Sequence, residues 1–234
     1  MKKKAIYIII LFLLLAGIGF YFFSERKTQD RGQEDLTSLD KILTLEIKRT
    51  DLSETQITRY QENFAEDKKI VLTSSNAFDL SALNDIAMIK RMAGDFEGAR
   101  DVWNYVSLKS PKNSVSFFNL GQLYAEDLKD NKKAEEGFLK ALENSQGESG
   151  NEQYYRGVVD FYTYYYPEKI SEVEKILLAA LATEQYQNSQ DLLALIAAYY
   201  GNNGKKEKAL EYWQKVLKID PGNEAVKAEI EKLK

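Results

Sequence analysis

The sequence predicts an all-α protein: an N-terminal transmembrane helix, then a solenoid of helical hairpins closed by a C-terminal capping helix. Three observations carry this reading. Eight residues recur at one offset of 110, with Leu83, Ile86, Ala87, Gly94, Ala99, Trp103, Val106 and Pro111 returning as Leu193, Ile196, Ala197, Gly204, Ala209, Trp213, Val216 and Pro221. A gapped copy stands between them (Phe117, Leu120, Gly121, Tyr124, Ala134, Phe138, Ala141), and the step from Ala87 to Gly121 is 34 residues. A period of this length with two helices per unit marks an array in which each unit buries its apolar face on the next. Finally, Ala5 to Phe23 runs for 19 residues without a charge.

Residues 1–4 form a short basic head and residues 5–23 the anchor. A helix of 19 residues is about 28 Å long, close to the ~30 Å hydrocarbon core of a bilayer. The competing reading is a cleaved signal peptide, whose apolar region commonly spans about 7–15 residues and ends at an Ala-x-Ala-like site. Gly17-Ile18-Gly19 is a poor version of that site, with Phe20 to Phe23 apolar beyond it, so a retained anchor is favoured. Lys2, Lys3 and Lys4 on one flank equal Arg26, Lys27 and Arg31 on the other in number. The amino-terminal charge, and lysines that abut the span, favour a cytoplasmic N-terminus and an extracytoplasmic repeat domain.

Residues 24–52 read as stalk and linker. Ser24 to Asp35 contains no large apolar residue. Over Leu36 to Thr50 two periods compete: Leu36, Leu39, Ile42 and Leu43 suit a helix, while Leu43, Leu45 and Ile47 alternate as in a strand. Helix is preferred there. Residues 53–79 hold an N-terminal packing helix and its connection. Ser53 and Gln56 have the spacing of a capping box, and Ile57, Tyr60 and Phe64 follow on one face. This helix is expected to cover the end of the first hairpin, or else to be a worn half-repeat.

Residues 80–222 make four hairpin units. In the first, Leu83, Ile86, Ala87 and Lys90 share a helical stripe, Gly94 ends the helix, and Asp95 restarts the chain. Ala99, Trp103 and Val106 form the second stripe, which Pro111 terminates. Ala87 and Ala99 are small where two helices approach; Trp103 is large where the space between units must be filled. The third unit, near Glu152 to Ser189, is degenerate: Tyr155, Val158, Val159 and Tyr162 fit its first helix. Val173, Leu177 and Ala180 fit the second only with a two-residue turn around Pro167. In residues 223–234, Asn223 can cap a final helix whose apolar face is Val226, Ile230 and Leu233.

From about Leu80 to Lys234 these residues resemble the tetratricopeptide repeat, position by position. Besides the degenerate third unit and one extra turn residue in the second, two positions depart. Lys90 stands where the family has an aromatic residue, and the second unit lacks its terminal proline, with Gln146 near that place. The resemblance implies a concave groove lined by the first helix of each unit. It places Ser81, Asn84, Met88, Arg91 and Met92 of the first unit there, with Val115, Phe118, Gln122, Ala125 and Glu126 of the second. Met88, Met92 and Phe118 would form an adaptable apolar strip suited to a peptide or helix; alternatively, they pack on an N-terminal segment lying in the groove. Some family members clamp a peptide carboxylate here. Asn119 matches one clamp position, but Asn84 and Met88 stand where Lys and Asn belong, so no clamp is expected.

A second candidate surface is the aromatic run from Tyr154 to Tyr166. Tyr155, Tyr162 and Tyr166 share one face and read as core. Tyr164 and Tyr165 are expected at the surface, as rigid contact area for a partner. The chain has no Cys and no His, which removes thiolate and imidazole chemistry and Cys/His zinc sites. Glu135-Glu136 and the Glu172/Glu174 pair lie among lysines and read as solvated faces, not as catalytic carboxylates. Without Lys2, Lys3 and Lys4, 29 basic residues face 36 acidic ones, a net charge of −7 that argues against nucleic acid. The expectation is a membrane-tethered scaffold for protein–protein interaction, with no cofactor, no metal and no catalysis of its own. The resemblance points to bacterial membrane-tethered repeat proteins. A homo-oligomeric structural membrane protein is the alternative.

Overall fold

The computed structural model describes residues 39–75, 78–146 and 150–233. The anchor expected over residues 5–23 lies outside them, and no described helix is long and apolar enough to cross a membrane. Among the described residues every regular element is helical, and the helices fall into two bodies, residues 39–146 and 150–233.

The first body opens with α1 (Leu39–Ile42), a single turn, and α2 (Glu54–Thr73). Ser53 starts α2 with both bonds of its capping box: Gln56 N donates to Ser53 Oγ, and Ser53 N donates to Gln56 Oε1. Tyr60, Phe64 and Val71 are its buried face, packed against α3 (Leu80–Met92). Asp79 caps α3, and Asp95 caps α4 (Phe96–Lys109). Between them Gly94 turns the chain at φ +84°, a conformation that costs glycine little. The second hairpin is α5 (Ser114–Glu126), capped by Asn113, and α6 (Asn131–Asn144), capped by Asp130. Its longer turn includes Lys129 at φ +57°. Leu83, Ile86, Ala87, Ala99, Trp103 and Val106 are all fully buried. Where α5 crosses α6 the backbones nearly touch: a Cβ on Gly137 would lie 2.7 Å from Gly121 N.

The helix preferred for Leu36–Thr50 is corrected. Among the described residues of this stretch only Leu39–Ile42 is helical, and residues 44–49 have no regular structure. The competing period prevails, because Leu43, Leu45 and Ile47 turn inward while Thr44, Glu46 and Lys48 are exposed. Lys48 N and Arg49 N both donate to Ala93 O, at 2.8 and 3.0 Å, instead of to carbonyls of their own segment. Ile42 and Leu43, inside the stretch read as linker, are buried in the core.

The second body contains α7 (Glu152–Tyr164), a 3₁₀ turn at Pro167–Lys169, α8 (Ser171–Leu181), α9 (Gln190–Asn202), α10 (Lys206–Ile219) and α11 (Glu224–Leu233). The α7–α8 connection is Tyr165 to Ile170, longer than the two residues anticipated, yet Val173, Leu177 and Ala180 are still buried. The 3₁₀ turn around Pro167 takes up the extra residues. Beyond α8 a loop returns Tyr186 to the core, its ring edge-on to Tyr155 at 5.4 Å and its hydroxyl donating to Asn151 Oδ1. Glu174 joins α8 to the last hairpin: it accepts from Lys205 at 2.6 Å, Lys208 at 2.8 Å and the Tyr200 hydroxyl at 3.0 Å. These bonds from Lys205 and Lys208, outweighing burial, hold its carboxyl down at about 2.

Candidate partner-binding surfaces

In the first body, the C-terminal end of α3 carries Met88, Arg91 and Met92 at helical spacing. They border an open recess of about 450 Å³ together with Phe96, Asp127 and Arg49. Met88 is half-buried against the core, and Met92 is exposed at 37%. Two flexible thioethers beside an aromatic ring can reshape to fit an apolar side chain. Arg91 fixes the far rim: its guanidinium donates to Glu126 Oε2 at 2.5 Å and Asp127 Oδ2 at 2.6 Å, tying α3 to α5. Arg49 forms the near rim and pairs with Asp51.

Four of the groove residues named from sequence therefore meet here: Met88, Arg91 and Met92 line the recess, and Glu126 braces it. The others are placed differently. Ser81 is exposed at the start of α3, away from the recess lining. Asn84 is half-buried and turns its amide back to Leu80 O at 2.8 Å. Phe118 is half-buried, edge-on to Phe138 at 5.4 Å, so much of its ring serves its own hairpin. Gln122 is half-buried and Val115 exposed. Ala125 is buried at 2%, which corrects its assignment to an accessible groove.

Beside the recess sits a partly buried ionic cluster absent from the sequence reading. Asp95 accepts from Lys48 at 2.7 Å and Lys90 at 3.0 Å. Burial pushes the Asp95 carboxyl up, but the two lysines overcome this and hold it below its usual range. The Asp95 and Glu46 carboxylates raise the Lys48 ammonium well above its usual value. Arg49 and Phe96 were missed because one lies in presumed linker and the other follows a cap. Lys90, the departure from the aromatic position, was the available signal.

In the second body, Tyr164 is 73% exposed, and Tyr165 is half-buried. Tyr155 and Tyr162 are buried, and Tyr166 lies against Phe161 and Tyr162. A smaller recess of about 250 Å³ opens next to Tyr164 in sequence, among Val159, Thr163, Pro167, Ile170 and Tyr199. Among the described residues no group of acidic side chains is arranged to hold a metal ion.

Comparison with known families agrees with the repeat. Residues 114–147 and residues 190–223 each match a family model described as tetratricopeptide repeat. Both segments coincide with hairpins of the structure, α5–α6 and α9–α10. No curated protein matches the chain. The two matches support a tetratricopeptide repeat protein, and with it a scaffold for protein–protein interaction.

Proposed function

We propose that this chain is a membrane-tethered scaffold that holds a protein or peptide partner on the face shared by α3 and α5, and has no catalysis of its own. The observation that carries the reading is the recess bordered by Met88, Met92 and Phe96 and braced by Arg91. It offers an apolar, adaptable surface with polar rims, the combination that seats an apolar anchor residue. The tether is residues 5–23, whose 19 uncharged residues supply the length of a membrane span. The repeats lie on the extracytoplasmic side of a bacterial membrane in this proposal. Tyr164 is a second, smaller contact surface.

Crosslinking from membranes tests the site. The full-length chain and a Met92→Glu variant, each checked for helicity, are compared for captured proteins. A partner recovered at least tenfold less with Met92→Glu supports the recess. Equal recovery, with loss instead in Tyr164→Ala, would move recognition to the second body. Capture of the chain itself, without another protein, would favour the homo-oligomeric reading.

A further inference from the structure

Lys90 is the least expected core residue of this chain. Tyr124 and Tyr200 hold the equivalent place in the second and last units, and Lys90 is 1% exposed. A buried ammonium is costly unless every proton finds an acceptor. Lys90 Nζ donates to Thr44 O and, at 3.0 Å, to Asp95 Oδ2, with the Phe64 ring centroid 5.9 Å away. Its partner at Thr44 is a backbone carbonyl of the segment that precedes α2. A tyrosine here could not bridge that carbonyl and Asp95 by donating to both, since it has a single O–H.

The segment itself is held in two ways. At its start, Ile42 and Leu43 are buried core residues. From Thr44 to Thr50 no side chain is buried, and Leu45 and Ile47 are only half-covered. These two pack partly against the core, and polar contacts supply the remaining hold. Lys68 Nζ on α2 donates to Leu43 O at 2.9 Å; Lys48 Nζ reaches Asp95 at 2.7 Å; and Ala93 O receives the amides of Lys48 and Arg49. The last two of these contacts flank the Gly94 turn, where a Cβ would lie 2.9 Å from Arg49 Cγ. Arg49 is also a wall of the Met88–Met92 recess. We propose that residues 44–50 are a latched strap, hinged behind Leu43, whose release removes one wall of that recess, and that Lys90 is the positioning residue of the latch. A segment held by few buried apolar contacts and many near-surface polar ones belongs to the part of a fold that opens locally.

Amide hydrogen exchange on the full-length chain tests this. The amides of Lys48 and Arg49 are expected to exchange at least tenfold faster than those of Ile86 and Ala87 in the core of α3. Lys90→Met, which keeps the volume and removes the ammonium, should speed the strap amides at least tenfold further and leave those of Ile86 and Ala87 unchanged. Strap and α3 amides exchanging together in the unaltered chain would overturn the proposal. So would an equal acceleration of both in Lys90→Met, which would make Lys90 an ordinary core residue. Should Lys90→Met fail to fold, Lys48→Ala carries the same comparison from a surface position. The chain has no cysteine, so Met92→Cys carrying a bimane reports the recess alone. Its emission should shift on adding Lys90→Met, and an unchanged spectrum with a freed strap would overturn the coupling to the recess.

Discussion

Gly94 and Gly204 occupy the same place in their hairpins, and both turn with positive φ, +84° and +71°. Their surroundings separate them. A Cβ at Gly204 would meet nothing within 4 Å, so Gly204→Ala is charged only for left-handed backbone, about 1 kcal/mol. At Gly94 the Cβ would also press on Arg49, 2.9 Å from Cγ and 3.2 Å from the backbone N. Gly94→Ala should therefore cost about 2–3 kcal/mol. Gly137→Ala should cost at least as much, since its Cβ would meet backbone at Gly121 N and Phe117 O, 2.7 and 2.8 Å away. Urea midpoints at constant m-value would rank the three, and Gly204→Ala costing as much as the others would refute the steric argument. Gly94 and Gly204 could be recognised in the sequence because each sits where a helical stripe stops. Gly137 could not, because a glycine inside a helix reads as a weak point until the facing helix is known.

The links between helices make opposite contributions with pH. Glu174, held at about 2 by Lys205 and Lys208, has a folded pKa below its usual 4.5. Its contribution is present above pH 4.5 and lost as pH falls toward 2. Glu174→Gln should lower stability at pH 7 by on the order of 1 kcal/mol, after allowance for solvent screening, and the gap to the unaltered chain should close over that acid range. Asp67 on α2 has the other sign: burial first, then Asp85, Glu66 and Asp79, push it up to about 6 from 3.8. Its charge opposes folding above pH 6 and ceases to do so as pH falls toward 3.8. Asp67→Asn should stabilise by up to about 1 kcal/mol at pH 8 and by nothing near pH 3.5, as read by denaturant titration at each pH. At this scale the hairpins were legible, since Leu83, Ile86 and Ala87 or Ala99 and Trp103 declare a buried stripe by spacing alone. The strap was not. Leu36 to Thr50 carries two periods of similar strength, and what decides between them, Ala93 O and the Lys90 ammonium, lies more than 40 residues further along. One wall of the recess was hidden for the same reason: Met88 and Met92 follow from helix register, whereas Arg49 arrives by a long-range contact.

At the scale of the whole molecule, the separation of charge and hydrophobicity is sharper than any feature of its surface. The basic head, the 19-residue uncharged run and the acidic remainder follow one another without overlap. The tether proposed for residues 5–23 thus makes two demands, one on attachment and one on side. For attachment, the full-length chain should stay with membranes through alkaline carbonate extraction, whereas a chain starting at residue 24 should be released, because its net charge of −7 disfavours an anionic bilayer. For side, the absence of cysteine allows a single reporter. Lys112→Cys, in the exposed turn before α5, should react with a membrane-impermeant maleimide on intact cells if the repeats lie outside. Labelling only after lysis would reverse the orientation, since the flanking charges tie in number and the preference rests on the amino terminus and on lysines that abut the span. Carbonate-released full-length chain would remove the tether itself.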